Sequence, residues 1–452
     1  MKYTNTNFIK LTFPPVLLQL IEFGSMFIDS AMIGNYDPIS FGATSLSGMI
    51  FYFIFTLFFG IMMMIGPLIG QARGANNNEL IAKNVSSGIW IGMIFAIILF
   101  IIFSYIVEIV AIFNFSDDII TVMRDFIAGK KYSVLIFVAM PFRYFLVNQG
   151  IFRQIIFLSM MVFPLNILFN YVFIYGYGFI PEMGVYGAGI ATSVSVITSS
   201  VLLWIFASNY AQKQGIKIYH KFFEIDFQIL KRILKYGIPT GIALGLETLL
   251  FTTSNIYVAY FDKYSISAFA VTFQIWNICY AIVLGFSEGV AILVAKSAGE
   301  KNINDIIQTI KQAIIKMVII LLLLCLWYYY TSNYIFEFML DTNNSAYPMI
   351  VKIADDLKYL IIVAIMVECT VHLPTKLLQS INDTKYIPIA QFIGYILIGV
   401  SSGYILCFIY DFKNEGIYIS MILGIITTSL ILITRIIYSL NKKRIFKYVE
   451  TK

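Results

Sequence analysis

Charge is scarce in this 452-residue chain: Asp, Glu, Lys and Arg together make up 12% of it, against about a quarter in a soluble domain. Solvated loops cannot make good that deficit, so a water-facing globular surface is excluded. Histidine is scarcer still, with only His220 and His372, which rules out a multi-histidine metal centre. The four cysteines (Cys279, Cys325, Cys369, Cys407) lie in apolar stretches without CxxC spacing. They exclude a disulfide framework and a structural zinc site, and read as small core residues. The net charge of +6 is spread over short loops without a basic arm, so no nucleic-acid partner is expected. No paired metal motif or nucleophile–base spacing is present either, and the chain is not read as an enzyme.

What the sequence has in excess is apolar length. It is 59% hydrophobic, with a mean hydropathy of +0.83. Stretches of about twenty apolar residues span a hydrocarbon core some 30 Å thick. They fall at 12–34, 43–68, 85–112, 132–150, 155–176, 187–208, 237–260, 266–291, 308–331, 358–380, 386–410 and 416–438. Helices follow from the solvent, because an open sheet would leave backbone groups unpaired in lipid. The first stretch carries Glu22 and Asp29 and has no small-residue cleavage site, so it reads as a retained span and not a signal peptide. The expected fold is an all-α integral membrane protein of twelve transmembrane helices.

An even number of spans puts both termini on one side. Arg73, Lys83, Arg153, Lys217, Lys296, Lys301 and Lys385 mark one set of loops, joined by Lys442, Lys443 and Arg444 in the tail. The opposite loops carry Asp37, Asp117, Asp118, Glu182, Asp341 and Glu415, with Lys130 and Lys131 against the trend. The excess of basic residues makes the first side cytoplasmic, so the chain is expected as a multi-pass protein of the inner or plasma membrane with both termini inside. The longest basic loop, Asn209 to Tyr236, lies mid-chain. It reads as an amphipathic linker touching the lipid surface.

The two sides of that linker repeat. Pro14 and Pro239 are 225 residues apart (239 − 14), as are Glu22/Glu247, Ser40/Ser265, Ala43/Ala268 and Gly74/Gly299; Gly184 and Gly416 then differ by 232 (416 − 184). Duplication of a six-span unit places the halves in the same topology, with a transport path between them. The expected organisation is a six-helix bundle at 1–208, a cytoplasmic linker at 209–236, and a second bundle at 237–452 ending in a short basic tail.

Ionisable residues within spans cost about 2.5–3.5 kcal/mol on insertion scales, so they are functional candidates by default. Glu22, Asp29, Glu247 and Glu368 qualify. Glu247 and Glu368 each lie about 15 Å deep at 1.5 Å per residue, close enough to the midplane to share a proton or a sodium ion. Glu22 and His372 are secondary candidates: His372 lies four residues after Glu368 and either relays protons or bonds to a neighbour. Lys376 continues the stripe and is expected to snorkel toward the cytoplasm. Asn166 and Asn170 stack on one face of a helix. With Asp29 they form either an oxygen cage for a hard cation or a polar joint between helices. Prolines within spans (Pro14, Pro15, Pro141, Pro164, Pro239, Pro374) suggest kinks. Among 40 Phe and 30 Tyr, some can stack on flat organic cations.

The segments PPVLLQLIEFGSMFIDSAMIG, LIGQARGANN, PLNILFNYVFIYG, MGVYGAGIATSVS, GIPTGIALGLETLLF and LLQSINDTKYIP, in that order, resemble the multidrug and toxic compound extrusion (MATE) family across nearly the whole chain. The resemblance implies two pseudo-symmetric six-helix bundles in a V, exporting cationic amphiphilic drugs or toxins in exchange for Na+ or H+, without a cofactor. Asp29, Asn166, Asn170 and Thr192 resemble that family's cation site, where Na+ would bind, and Glu247 and Glu368 its second acidic pair, as in the NorM-like branch. Two positions depart from the pattern: Glu22, where a neutral polar residue is frequent, and Glu368, where Asp is usual. The expected partners are small organic cations and the bilayer, with the chain acting as a monomer. A lipid-linked oligosaccharide flippase of the same superfamily is the rival reading, disfavoured because the intramembrane charges are mainly acidic and not a basic pyrophosphate cavity.

Overall fold

A computed structural model describes residues 5–36, 38–111, 117–219, 223, 226–261, 263–339 and 347–441. The first half contains α1 (Asn5–Tyr36), α2 (Pro38–Met63), α3 (Ile65–Gly74), α4 (Asn78–Val110), α5 (Asp117–Lys130), α6 (Ile136–Asn148), α7 (Phe152–Tyr175) and α8 (Gly184–Lys213). The second contains α9 (Phe227–Ala259), α10 (Lys263–Gly299), α11 (Ile303–Met339), α12 (Tyr347–Asp356), α13 (Lys358–Ser380), α14 (Tyr386–Gln391), α15 (Ser401–Tyr404) and α16 (Lys413–Asn441). Among the described residues the one extended pairing is an isolated bridge between Tyr177 and Ile180. The protein is all-α.

Among the described residues, helices that meet end to end form twelve rods, matching the number of apolar stretches. The pairs α2–α3 and α12–α13 each make one rod. A 3-10 turn, Lys131–Leu135, joins α5 to α6. Two π-helical segments, Phe392–Val400 and Ile405–Ile409, run on from α14 and around α15. Among the described residues, nine stretches are long and apolar enough to cross a membrane on their own. The fourth rod differs most from expectation. It begins at Asp117 and not near 132, because Asp117, Arg124 and Asp125 in α5 dilute its apolar signal. Lys130 and Lys131 therefore lie in the middle of a rod and not in a loop.

The outer surface fits hydrocarbon. On α11, Ile315, Val318, Ile319, Leu322, Leu323 and Leu326 are each half or more exposed, an apolar stripe that water would not tolerate. Many hydroxyls within rods are satisfied locally. Thr248, Thr252, Thr253 and Ser254 all donate to the carbonyl four residues earlier, which hides a hydroxyl without a partner helix. The six prolines expected within spans all lie inside helices.

The repeat is visible in the backbone. Asn76 and Lys301 are both left-handed (φ 53° and 57°), 225 residues apart (301 − 76). The next residues, Asn77 and Asn302, each cap the following helix by accepting from the N–H of Leu80 and Asp305. Gly150 (φ 80°) and Asn382 (φ 60°) repeat at 232 (382 − 150). Both are followed by the same turn, Ile151 N–H to Leu146 O and Asp383 N–H to Leu378 O. The register change lies between the second and fourth rods of each half. Only Asn and Gly adopt positive φ readily, and Lys301 accepts it as a helix C-terminal turn.

The chain forms two compact units, cut inside helices and not at the linker. One unit runs from Leu20 to Gly241, and the other takes the segment ending at Gln19 with the chain from Ile242 onward. Within the first unit α8 packs on α5, α6 and α7, and α4 on α6; within the second, α16 packs on α13 and the π segment, and α13 on α10 and α11. The neighbour order is the same in both. Glycine contacts explain the cuts. Gly285 and Gly289 of α10 lie against the backbone of Val16 and Thr12, where a Cβ would come within 2.5 Å. Gly237 and Gly241 of α9 lie equally close to Ile61 and Leu57 of α2. Positions 12 and 16 correspond to 237 and 241 at the 225 offset, so the same crossing occurs twice with the glycines on opposite partners. The boundaries expected at 208 and 237 follow the chain, and α8 in fact continues to Lys213.

These crossings predict that Gly241→Leu and Gly285→Leu each cost about 1–3 kcal/mol through overpacking. Gly48→Leu, with open space around its Cβ position, should be neutral. Thermal unfolding of the purified chain in detergent measures all three.

Candidate functional site

Two polar clusters stand out, one in each unit. The first lies where α1, α7 and α8 meet. Gly176 (φ 77°) ends α7 and Gly184 (φ 52°) opens α8, folding the pair into an antiparallel hairpin. Gly187 presses on the Phe173 carbonyl, which sets Asn170 and Asn166 beside Thr192 and Ser195. Asn170 Nδ2 donates to Asp29 Oδ1 at 2.7 Å, and Asn166 Nδ2 donates to Ser195 Oγ at 3.3 Å. Asn166 and Thr192 are the next polar neighbours of the Asp29 carboxylate. Thr192 itself donates to the Ala188 carbonyl at 3.1 Å.

With both amide groups committed as donors, the carbonyl oxygens remain. Asn166 Oδ1 and Asn170 Oδ1 are buried and have no hydrogen-bond partner among the described residues. Together with the carboxylate they form a set of acceptors short of donors, the chemistry that holds a hard cation. Asn166 and Asn170 also join α7 to its neighbours, so the polar-joint reading and the cage reading describe the same residues.

Sequence reasoning missed a cation here. The fourth rod places Lys130 within electrostatic reach of Asp29, without an ion pair between them. Its Nζ lies 5.1 Å from the Phe51 ring centroid and 4.9 Å from that of Phe126. Glu22 takes no part in this cluster. Its Oε1 is 2.6 Å from Arg143 Nη1, a pair half open at the carboxylate.

The second cluster is buried. His372 Nε2 lies 2.6 Å from Glu368 Oε1 and 3.9 Å from Glu247 Oε1. Glu368 and His372 share a face of α13, and Glu247 reaches them from α9. Tyr280 of α10 donates to Glu247 Oε1 at 3.1 Å and its ring meets that of His372 edge-on at 4.8 Å. Glu368 Oε2 is buried without a hydrogen-bond partner among the described residues, and the residue lines a narrow crevice with Trp276, Cys279, Tyr280 and Ile365. The ligand atoms of Glu247, Glu368 and His372 all lie within 4.8 Å of one another. Two carboxylates and one imidazole can hold a cation or pass a proton.

Lys376 differs from expectation. It is 6% exposed and faces Glu288 and Glu247, because α10 and α16 enclose the end of α13 and leave no path for it to snorkel. Glu288, from the same helix α10, accepts from Gln19 Nε2 at 3.3 Å. His220, Asp341 and the basic residues of the tail lie outside the described residues. Tyr280 had no distinguishing sequence signal, whereas Arg143 stood in plain view inside the expected fourth span.

Each duplicated glutamate thus meets a basic residue on the fourth rod of its half, Arg143 for Glu22 and His372 for Glu247. Arginine keeps its proton, while histidine exchanges one near neutral pH. The first pair joins α1 to α6 and the second joins α9 to α13.

A family profile, MatE, matches residues 14–172 and 239–405, two stretches that start 225 residues apart (239 − 14). A protein named "Probable multidrug resistance protein NorM" from Listeria innocua is 26% identical over 438 residues, covering 95% of this chain and 93% of its own length. The crystal structure of the eukaryotic MATE transporter AtDTX14 superposes with a TM-score of 0.87 at 15% identity, covering 98% of both chains. An outward-facing multidrug resistance MATE family transporter of the MOP superfamily gives 0.85 at 17%, covering 96% of this chain and 95% of its own. These likenesses agree on the fold.

Truncating one member of the buried pair strands the other. His372→Ala is expected to destabilise the chain by about 3 kcal/mol, and Glu368→Gln in the same chain to restore part of that loss. Thermal unfolding of the single and double variants measures the coupling; equal Tm values for His372→Ala and the native chain would contradict it.

Proposed function

The chain belongs to the MatE family of multi-pass membrane proteins, and on that premise we propose that it is a secondary antiporter expelling cationic amphiphilic compounds in exchange for Na+ or H+. The observation that carries this reading is the pair of acceptor-rich clusters inside membrane-length helices. Buried, unpartnered acceptors are costly unless something positive fills the space. At the first site Asp29 supplies the charge, and the carbonyl oxygens of Asn166 and Asn170 supply neutral ligands, with the Thr192 hydroxyl beside them. A sodium ion is the cargo that such a set suits.

At the second site His372, set between Glu368 and Glu247, carries the exchangeable proton. A cationic compound that reaches this cluster finds the aromatic side chains of Trp276 and Tyr280 beside Glu368. Its charge then replaces the proton, which leaves through the imidazole. One elementary charge moving down 100 mV supplies about 2.3 kcal/mol, enough for roughly a fiftyfold substrate gradient. The multidrug names of the relatives support a broad substrate range. The basic loops favour both termini in the cytoplasm, and we propose a monomer that works without a cofactor.

Dye efflux from everted vesicles, with sodium and pH gradients imposed separately, tests the reading. At least one gradient should drive export, and Asp29→Asn and Glu368→Gln should each reduce it at least tenfold at unchanged expression. Full export in both variants would sink the assignment of the two sites. If neither gradient moves a cationic dye, the flippase reading is favoured. Separately, a green fluorescent protein fused after Lys452 should fluoresce, as expected of a cytoplasmic C-terminus; a dark fusion at normal abundance would reverse the orientation.

A further inference from the structure

Lys130 is the charged group that the proposed exchange leaves unused. It ends α5, and that end is held firmly against α8. Ser193 Oγ donates to the Gly129 carbonyl at 2.7 Å. A Cβ on Gly189 would come within 2.6 Å of the Phe126 carbonyl and 2.7 Å of the Lys130 nitrogen. The backbone of Lys130 is therefore anchored beside the helix that carries Thr192. Its side chain runs between two aromatic faces, Phe126 and Phe51, and Phe51 is itself stacked on Phe103 with centroids 4.0 Å apart.

Among the described residues the Lys130 ammonium makes no hydrogen bond and no ion pair, only the ring contacts and its electrostatic interaction with Asp29. An ammonium has three donors, and leaving them unmet on a half-buried side chain between two rings carries a cost. The same site contains Asn166 Oδ1 and Asn170 Oδ1, two buried acceptors without donors. Unmatched donors, carried on a flexible four-carbon stem, thus lie within electrostatic reach of the carboxylate that Asn166 and Asn170 flank.

We propose that Lys130 is a tethered counter-cation for the Asp29 site: from the Phe51 and Phe126 faces, where the structure shows it, the ammonium swings onto the site's acceptors when an external cation leaves and returns to the rings when one enters. The proposal rests on Asp29 being a coupling site. In the empty site the ammonium balances the carboxylate, so the unit carries no unpaired charge there. An incoming cation must displace or repel it, which weakens binding and speeds release. The aromatic pair gives the displaced ammonium a second resting place that is worth keeping when desolvated. Lys131, next in sequence, cannot substitute, since its Nζ points to Phe100, Tyr132 and the Ser104 hydroxyl.

The test is a double-mutant cycle on the full-length chain purified in detergent, with choline as the only added monovalent cation. Asp29→Asn and Lys130→Gln should each lower Tm, and the double variant should recover most of the combined loss. Strictly additive shifts would overturn the pairing. The second readout is export in vesicles, titrated with sodium and with protons separately. Lys130→Gln should lower the half-saturating concentration of the driving cation by roughly tenfold, the effect expected from removing a like charge nearby. An unchanged or raised value would also overturn the proposal, because a purely structural lysine would not tighten cation binding. The two readings fail differently. Normal export by Asp29→Asn with a non-additive cycle removes the coupling role of Asp29 and keeps the pairing. Lost export with an additive cycle does the reverse.

Discussion

Hydrocarbon offers no water, and this constraint governs the structure. Each backbone N–H must find its acceptor within its own helix, and each hydroxyl tends to return to the carbonyl four residues back, as Thr248 and Ser254 do. Where it fails beside an ionisable group, the failure is informative: among the buried atoms left without a partner, Asn166 Oδ1, Asn170 Oδ1 and Glu368 Oε2 lie in or beside the carboxylate clusters. The candidate site gathers acceptors that these helices did not neutralise.

Much of this was legible from the residues. Apolar length alone gave the rods, and the 225 offset marked a duplication that returns as paired left-handed residues at Asn76 and Lys301. The i, i+4 spacing of Glu368 and His372, and of Asn166 and Asn170, put each pair on one helical face. Lys130 was not legible, because α5 averages to a polar segment and its charges look like a loop. Arg143 was visible but is a cation, and attention to buried carboxylates passed over the groups that answer them. Tyr280 is one of 30 tyrosines; only the approach of α10 to α9 and α13 singles it out.

The two units share a frame and diverge in what they do with it. In one, the glutamate pairs with a guanidinium, Arg143, apart from the carboxylate cluster at Asp29. In the other, the equivalent glutamate lies in the buried cluster, with an imidazole, His372, as its basic neighbour. The duplicated position therefore stands once outside the candidate site and once within it.

The glycine crossings bear on how such a chain is made. The unit that runs from Leu20 to Gly241 includes the opening of α9, so its last piece is synthesised after the mid-chain linker. The segment ending at Gln19, although translated first, packs on α10 and has no glycine bed until Gly285 and Gly289 have been added. Neither unit can close while the ribosome is still in the first half. Insertion and packing are thus separated in time, and two fragments divided at the linker would each carry a strip of helix belonging to the other.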